Sequence, residues 1–148
     1  MIKTFRGLMA DDTQDTIVLH TTDGSIGYRI KKFEIMTQRP GTTAYEHVVQ
    51  IWKTKQVAID NVVDFSNQTL LGAAFIQDDA APHYVASSQV VFDNEIFNQD
   101  IYITHSETNA DPGQGCNYYI ELEQVKLDLN QNTVATLKDI RNITGPTT

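Results

Sequence analysis

Apolar residues recur with a period of two along most of this chain. In "CNYYIELE", Cys116, Tyr118, Ile120 and Leu122 fall on one side, while Asn117, Tyr119, Glu121 and Glu123 fall on the other. That alternation predicts a strand with one buried and one wet face. The same reading marks "IKTFRGLM", "DTIVLHT", "GYRIKKFEI", "TAYEHVVQIWKT", "TLLGAAFIQ", "SSQVVFDN" and "QDIYITHS" as strands. Turn chemistry separates them: an Asp-Gly in "TTDGSIG" that suits a hairpin, a Pro-Gly in "QRPGTT", and longer polar loops in "DDAAPH" and "NADPGQG". Eight such strands predict an all-β fold, an antiparallel, jelly-roll-like β-sandwich.

Three departures from the simple period carry information. The apolar phase slips at Lys31 and Lys32, between the pair Tyr28, Ile30 and the pair Phe33, Ile35, and again near Glu123 and Gln124, where Val125 and Leu127 continue on the opposite parity. Both are predicted β-bulges. The strand "TAYEHVVQIWKT" is apolar on both faces, Tyr45, Val49 and Ile51 opposing Val48 and Trp52. Trp52 is therefore open to two readings, packing under a second layer or contact with a partner. Finally, "LNQNTVATLKDIRNI" spaces Val134, Leu137 and Ile140 for one short C-terminal helix, with Asn130 or Asn132 as cap and Gly145-Pro146 beyond its end. "QVAIDNVVDF" is open between a turn of helix and a loop.

A length of 148 residues fits one domain, residues 1–148, with 144–148 as a frayed tail. The single cysteine, Cys116, has no internal disulfide partner, which points to folding in a reducing compartment. The opening segment lacks the apolar run of a signal peptide, and no stretch reaches the roughly 20 apolar residues of a membrane helix. Charge is segregated. Residues 56–125 hold eleven Asp or Glu and no Lys or Arg, within a net charge of −8. Such an exterior disfavours nucleic acid and anionic membranes as partners. Basic residues of the first third, Lys3, Arg6, Arg29, Lys31, Lys32 and Arg39, are either a solvated scatter or a patch that docks an acidic neighbour.

Candidate chemistry is thin. Asp93, Asn94 and Glu95 offer clustered oxygen ligands for calcium, but without the alternating pattern of a calcium loop they read as a polar corner between strands. His20, His47, His83 and His105 are scattered and form no H-E-x-x-H pair. His105 and Glu107 share one side of a strand, a two-ligand pattern whose plainer reading is a pair of exposed residues at a strand end. Glu121 and Glu123 are similarly paired on a wet face. Cys116 falls on the predicted core face, where a thiol is inert packing. The expectation is no catalytic residue, metal or cofactor.

The stretches "IKTFRGLMADDTQDTIVL", "GYRIKKFEI", "TLLGAAF", "VVFDNEIFNQDIYIT" and "CNYYIELEQVKLDLNQNTVATLKDIRN" resemble a group of small proteins encoded in the virion-structure regions of marine tailed phages. The resemblance covers most of the chain and carries no motif with an assigned task. It implies a non-enzymatic virion component made in the host cytoplasm, with head decoration the natural role, the major capsid protein or other virion proteins as partners, and a homo-oligomer in the particle. A tail or head-tail connector ring and a carbohydrate-binding sandwich using Trp52, Tyr102 or Tyr119 are the alternatives. The contact surface expected from sequence joins Trp52 and Val48 as apolar anchor to Arg29, Lys31, Lys32 and Arg39 as steering charge.

Overall fold

The computed structural model describes residues 1–41, 44–78, 87–108 and 114–144. Among the described residues eight strands run in chain order: β1 (Ile2–Met9), β2 (Thr13–Ile17), β3 (Ile26–Thr37), β4 (Tyr45–Trp52), β5 (Leu70–Asp78), β6 (Ser87–Phe92), β7 (Ile101–Glu107) and β8 (Cys116–Lys126); a helix, α1 (Leu129–Thr144), follows. They form two antiparallel sheets, of order β1-β8-β3 and β2-β7-β4-β5-β6. The inner rows predicted from the period meet between the sheets. Ile120, Leu122, Ile30, Phe33 and Met9 from the small sheet pack in one cluster with Val49, Ile51, Ile101, Ile103 and Ala74 from the large one. Each fully buried Ile, Leu or Phe contributes about 1.5–3 kcal/mol relative to exposure, so this shared row holds the layers together.

The pairing is that of a long hairpin rolled on itself. The first strand pairs with the last, β2 with β7, and β4 with β5, as in a jelly roll. The remaining pairing of that scheme, β3 with β6, is replaced. Strand β6 pairs with β5 in the large sheet, and only after it has the chain crossed to the small sheet, where Phe97 and Tyr28 exchange backbone hydrogen bonds of 2.8 and 2.9 Å. The sheets are therefore unequal, three strands facing five.

Several local expectations are settled by the register. The slip at Lys31 is a bulge, since Ile30 pairs with Leu122 and Lys32 with Glu121. No slip occurs near Glu123 and Gln124: β8 keeps register with β3 through Lys126. Val125 and Leu127 instead serve the strand's other face, where Leu127 and Ile96 close over Gly27. A Cβ at Gly27 would lie 2.9 Å from Ile96 Cγ2 and 3.1 Å from Leu127 Cδ1, which is why the position is glycine. An unforeseen shift sits between Ile51 and Trp52 in the pairing of β4 with β5. Asp23-Gly24 makes a tight turn, with Gly24 at φ 68° and Asp23 Oδ1 accepting from Ser25 N at 3.1 Å, but it is not a hairpin. The strands it joins lie in opposite sheets.

The helix is capped by Asp128 and not by Asn130 or Asn132. Asp128 Oδ1 accepts from Gln131 N at 2.8 Å and Gln131 Oε1 accepts from Asp128 N at 3.1 Å, a reciprocal capping box. Asn132 instead donates to Asp23 O at 2.6 Å, tying the helix to the β2–β3 turn. Val134 and Leu137 remain exposed. The segment read as helix or loop, residues 56–65, is irregular. The "DDAAPH" loop apart from Asp78, His83, most of the "NADPGQG" loop and the Gly145-Pro146 tail lie outside the described residues.

Candidate functional site

At the end of the sandwich where β3, β7 and β1 finish and β4 and β8 begin, three side chains converge in the core. His47, His105 and Cys116 are all fully buried, and one ring nitrogen of each histidine and the sulfur lie within 4.8 Å of one another. Parity puts them there. His47 shares the inner row of Val49 and Ile51, and His105 that of Ile101 and Ile103; Cys116 opens the inner row of β8. The pairing of β4 with β7 then sets His47 opposite Glu107 and His105 opposite Val49, so the two rings meet on the diagonal.

A continuous hydrogen-bond chain runs through the rings. His105 Nδ1 lies 3.0 Å from the Ala10 carbonyl, which only accepts, so this nitrogen carries the proton. With both imidazoles neutral, His105 Nε2 is then an acceptor for His47 Nδ1–H at 2.8 Å, and His47 Nε2 accepts from the Thr37 hydroxyl at 3.1 Å. Burial, and then the neighbouring His105, hold His47 down at about 4, against the opposing pull of Glu107 and Asp11. Burial likewise pushes Cys116 up to about 12. Its sulfur makes only long contacts, 3.7 Å to Met36 O and 3.6 Å to Asn117 O. The plain reading of His105 and Glu107 as exposed residues at a strand end is therefore corrected, since both are buried.

The expected contact surface is divided between opposite sides of the molecule. Trp52 and Val48 occupy the outer face of the large sheet but are not available there. Trp52 is 8% exposed and donates from Nε1 to Thr104 Oγ1 at 2.9 Å. The irregular segment between β4 and β5 lies over this face, held by Gln50 Nε2 to Val62 O at 3.0 Å and by Gln56 N to Gln14 Oε1 at 2.8 Å. Second-layer packing is thus the reading that holds for Trp52. Arg29, Lys31 and Lys32 stand on the small sheet, where the strand's own neighbours engage them. Arg29 Nε and Lys31 Nζ reach Glu123 Oε2 at 2.8 and 3.6 Å, and Lys32 Nζ reaches Glu34 at 3.7 Å. Arg39 follows β3 at the other end and has its own interaction. The three aromatics of the sugar-binding alternative do not share a face either. Tyr102 pairs with Trp52 on the large sheet, and Tyr119 belongs to β8 of the small one.

The acidic corner between β6 and β7 is a sheet-to-sheet crossing built from side-chain bonds. Asp93 Oδ1 accepts from Glu95 N at 2.9 Å. Glu95 Oε1 meets the buried Lys53 at 2.5 Å and also Lys138 of α1. Burial raises the Glu95 carboxyl, but the hydrogen bonds and charges of the two lysines outweigh it and leave the group below its ordinary value.

The surface that sequence reasoning missed lies at β6. Among the described strands β6 pairs only with β5. Val90 and Phe92, which point to the inner side opposite Ala74 and Gly72, stay partly exposed, at 39% and 37%. On the outer side Val91, 51% exposed, adjoins Phe65, 67% exposed, and Val63 around a cleft of about 340 Å³. The apolar run "VVF" beside a five-strand sheet was the available signal; that it forms an edge was not legible without the pairing. No helix among the described residues is long and apolar enough to cross a membrane. Comparison with protein-family profiles and with curated proteins finds no match for this chain.

Proposed function

We propose that the chain is a non-enzymatic phage virion structural protein, a capsid decoration or cement protein that sits on the outside of the head in many copies. The observation that carries the reading is the apolar rim around β6, where Val90, Val91 and Phe92 flank the outer edge of the sheet and Phe65 and Val63 extend it. Such an edge is a ready template for another protein's strand or for an apolar ridge. The acid-rich middle of the chain supports a protein partner over nucleic acid. Multivalency on a shell of identical sites turns a modest contact of this size into stable attachment.

The resemblance to phage virion-region proteins supports the same reading and defines the test. Quantitative mass spectrometry of purified particles of the encoding phage should find the chain in hundreds of copies. A dozen copies or fewer points to a tail or connector ring, and absence from particles overturns the reading. Val91→Glu should abolish co-sedimentation with heads while its circular dichroism stays that of the parent; binding that survives this change places the contact elsewhere.

A further inference from the structure

We propose that His47, His105 and Cys116 form a binding site for one zinc-class metal ion inside the sandwich. Three observations carry it. The donors are two imidazoles and a thiol within 4.8 Å of one another, the set that borderline and soft cations prefer. Each histidine also has its second nitrogen held by an oxygen, His105 Nδ1 by the Ala10 carbonyl and His47 Nε2 by the Thr37 hydroxyl. Outer contacts of this kind fix ring orientation at metal centres. The nitrogens left over, His105 Nε2 and His47 Nδ1, face each other at 2.8 Å, and the Cys116 sulfur has no short hydrogen bond to give up.

Zinc–nitrogen bonds of about 2.0–2.1 Å in tetrahedral geometry set two nitrogens roughly 3.3 Å apart, and a zinc–sulfur bond of about 2.3 Å sets the sulfur roughly 3.6 Å from each nitrogen. The rings therefore separate by about half an ångström, while the Cys116 sulfur, within 4.8 Å of the ring nitrogens, draws in by about 1 Å. Protons balance locally. The His47 proton moves from Nδ1 to Nε2, where the Thr37 oxygen accepts it, and the Cys116 thiol proton leaves to solvent as the thiolate binds. Three protein donors leave the fourth position to water or a small anion. The three ligands come from β4, β7 and β8, so the ion would tie the large sheet to the small one at the end where their connections meet.

The full chain, refolded once with a chelator and once with Zn²⁺ because the cluster is closed to solvent, tests this directly. The expected results are one zinc per chain by elemental analysis after dialysis, a melting temperature roughly 10 °C higher than that of the chelated sample, and, on refolding with Co²⁺, a thiolate-to-cobalt absorption band. Cys116→Ala should lose that band, and His47→Gln should lower the zinc content. A wild-type chain that keeps no stoichiometric zinc and melts at one temperature under both conditions overturns the proposal and leaves the neutral hydrogen-bond chain as the whole role of the cluster. So does a band that persists in Cys116→Ala. The wild-type measurements decide even where a variant fails to fold.

Discussion

Single residues on the large sheet's outer face behave as core. Trp52 is covered by the segment between β4 and β5, and its indole N–H is committed to Thr104. Trp52→Ala is therefore expected to lower stability by about 3–5 kcal/mol, and Trp52→Phe, which keeps most of the packing but leaves Thr104 without its donor, by about 1–2 kcal/mol. Denaturant unfolding measures both; a Trp52→Ala chain as stable as the parent would mean that the segment does not seal the face. A second residue-scale device is Asp100. Its Oδ1 accepts from Leu19 N at 2.8 Å, His20 N at 3.0 Å and His20 Nδ1 at 2.7 Å. Burial raises its carboxyl, yet the bonds from His20 and Leu19 prevail and hold it below the ordinary value. A depressed folded pKa contributes stability above the unfolded value of about 3.9, and that contribution is lost as pH falls through the folded one. Stability should thus fall on acidification below about pH 4, with a smaller fall in Asp100→Asn. Equal acid limbs for parent and variant would remove Asp100 from the account.

At the scale of elements, what could be read in advance was whatever one strand or helix decides alone. Alternation marked β8 and β3, and the two lysines at the phase change marked the bulge, because a side chain's parity is a local property. Partners are not local. Asp23-Gly24 has hairpin chemistry, yet its turn serves a crossing between sheets. Val125 and Leu127 imitate a bulge, because a second apolar cluster around Gly27 draws them to the other face. His47 and His105 have the parity of the inner rows of β4 and β7, but 58 residues separate them and only the pairing of those strands joins them. The cap of α1 is legible as Asp128 three residues before Gln131, the capping-box spacing, although Asn130 and Asn132 nearby have the same cap chemistry. Asp128→Ala should lower stability by about 1 kcal/mol and reduce the helical signal in circular dichroism. With Val134 and Leu137 exposed, little packing compensates for a lost cap; an unchanged helical signal would mean that Asn132 and Lys138 anchor the helix unaided.

The whole molecule is asymmetric in a way that no single element shows. Three strands face five, so burial is deepest where both sheets overlap, around Ile103, Ile51, Ile120 and Leu122, and thins toward β6. Local opening costs least where apolar contacts are fewest. Amide exchange is therefore expected to be slowest in β8, β4 and β7, each paired on both sides, and to begin in β6. The same asymmetry links stability to binding. An edge that opens easily can accept a partner's strand without breaking the core, whereas a surface over Trp52 would have to displace the covering segment first. If the proposed capsid contact is made at this edge, saturating the chain with capsids slows exchange in β6 and around Phe65 and leaves the already slow amides of β8 unchanged. If β8 exchanges ahead of β6 in the free chain, the overhang is not the weak end of the fold. If capsid binding instead protects the outer face of β8, the partner sits on the small sheet, among Arg29, Lys31 and Glu123, and not at the β6 rim.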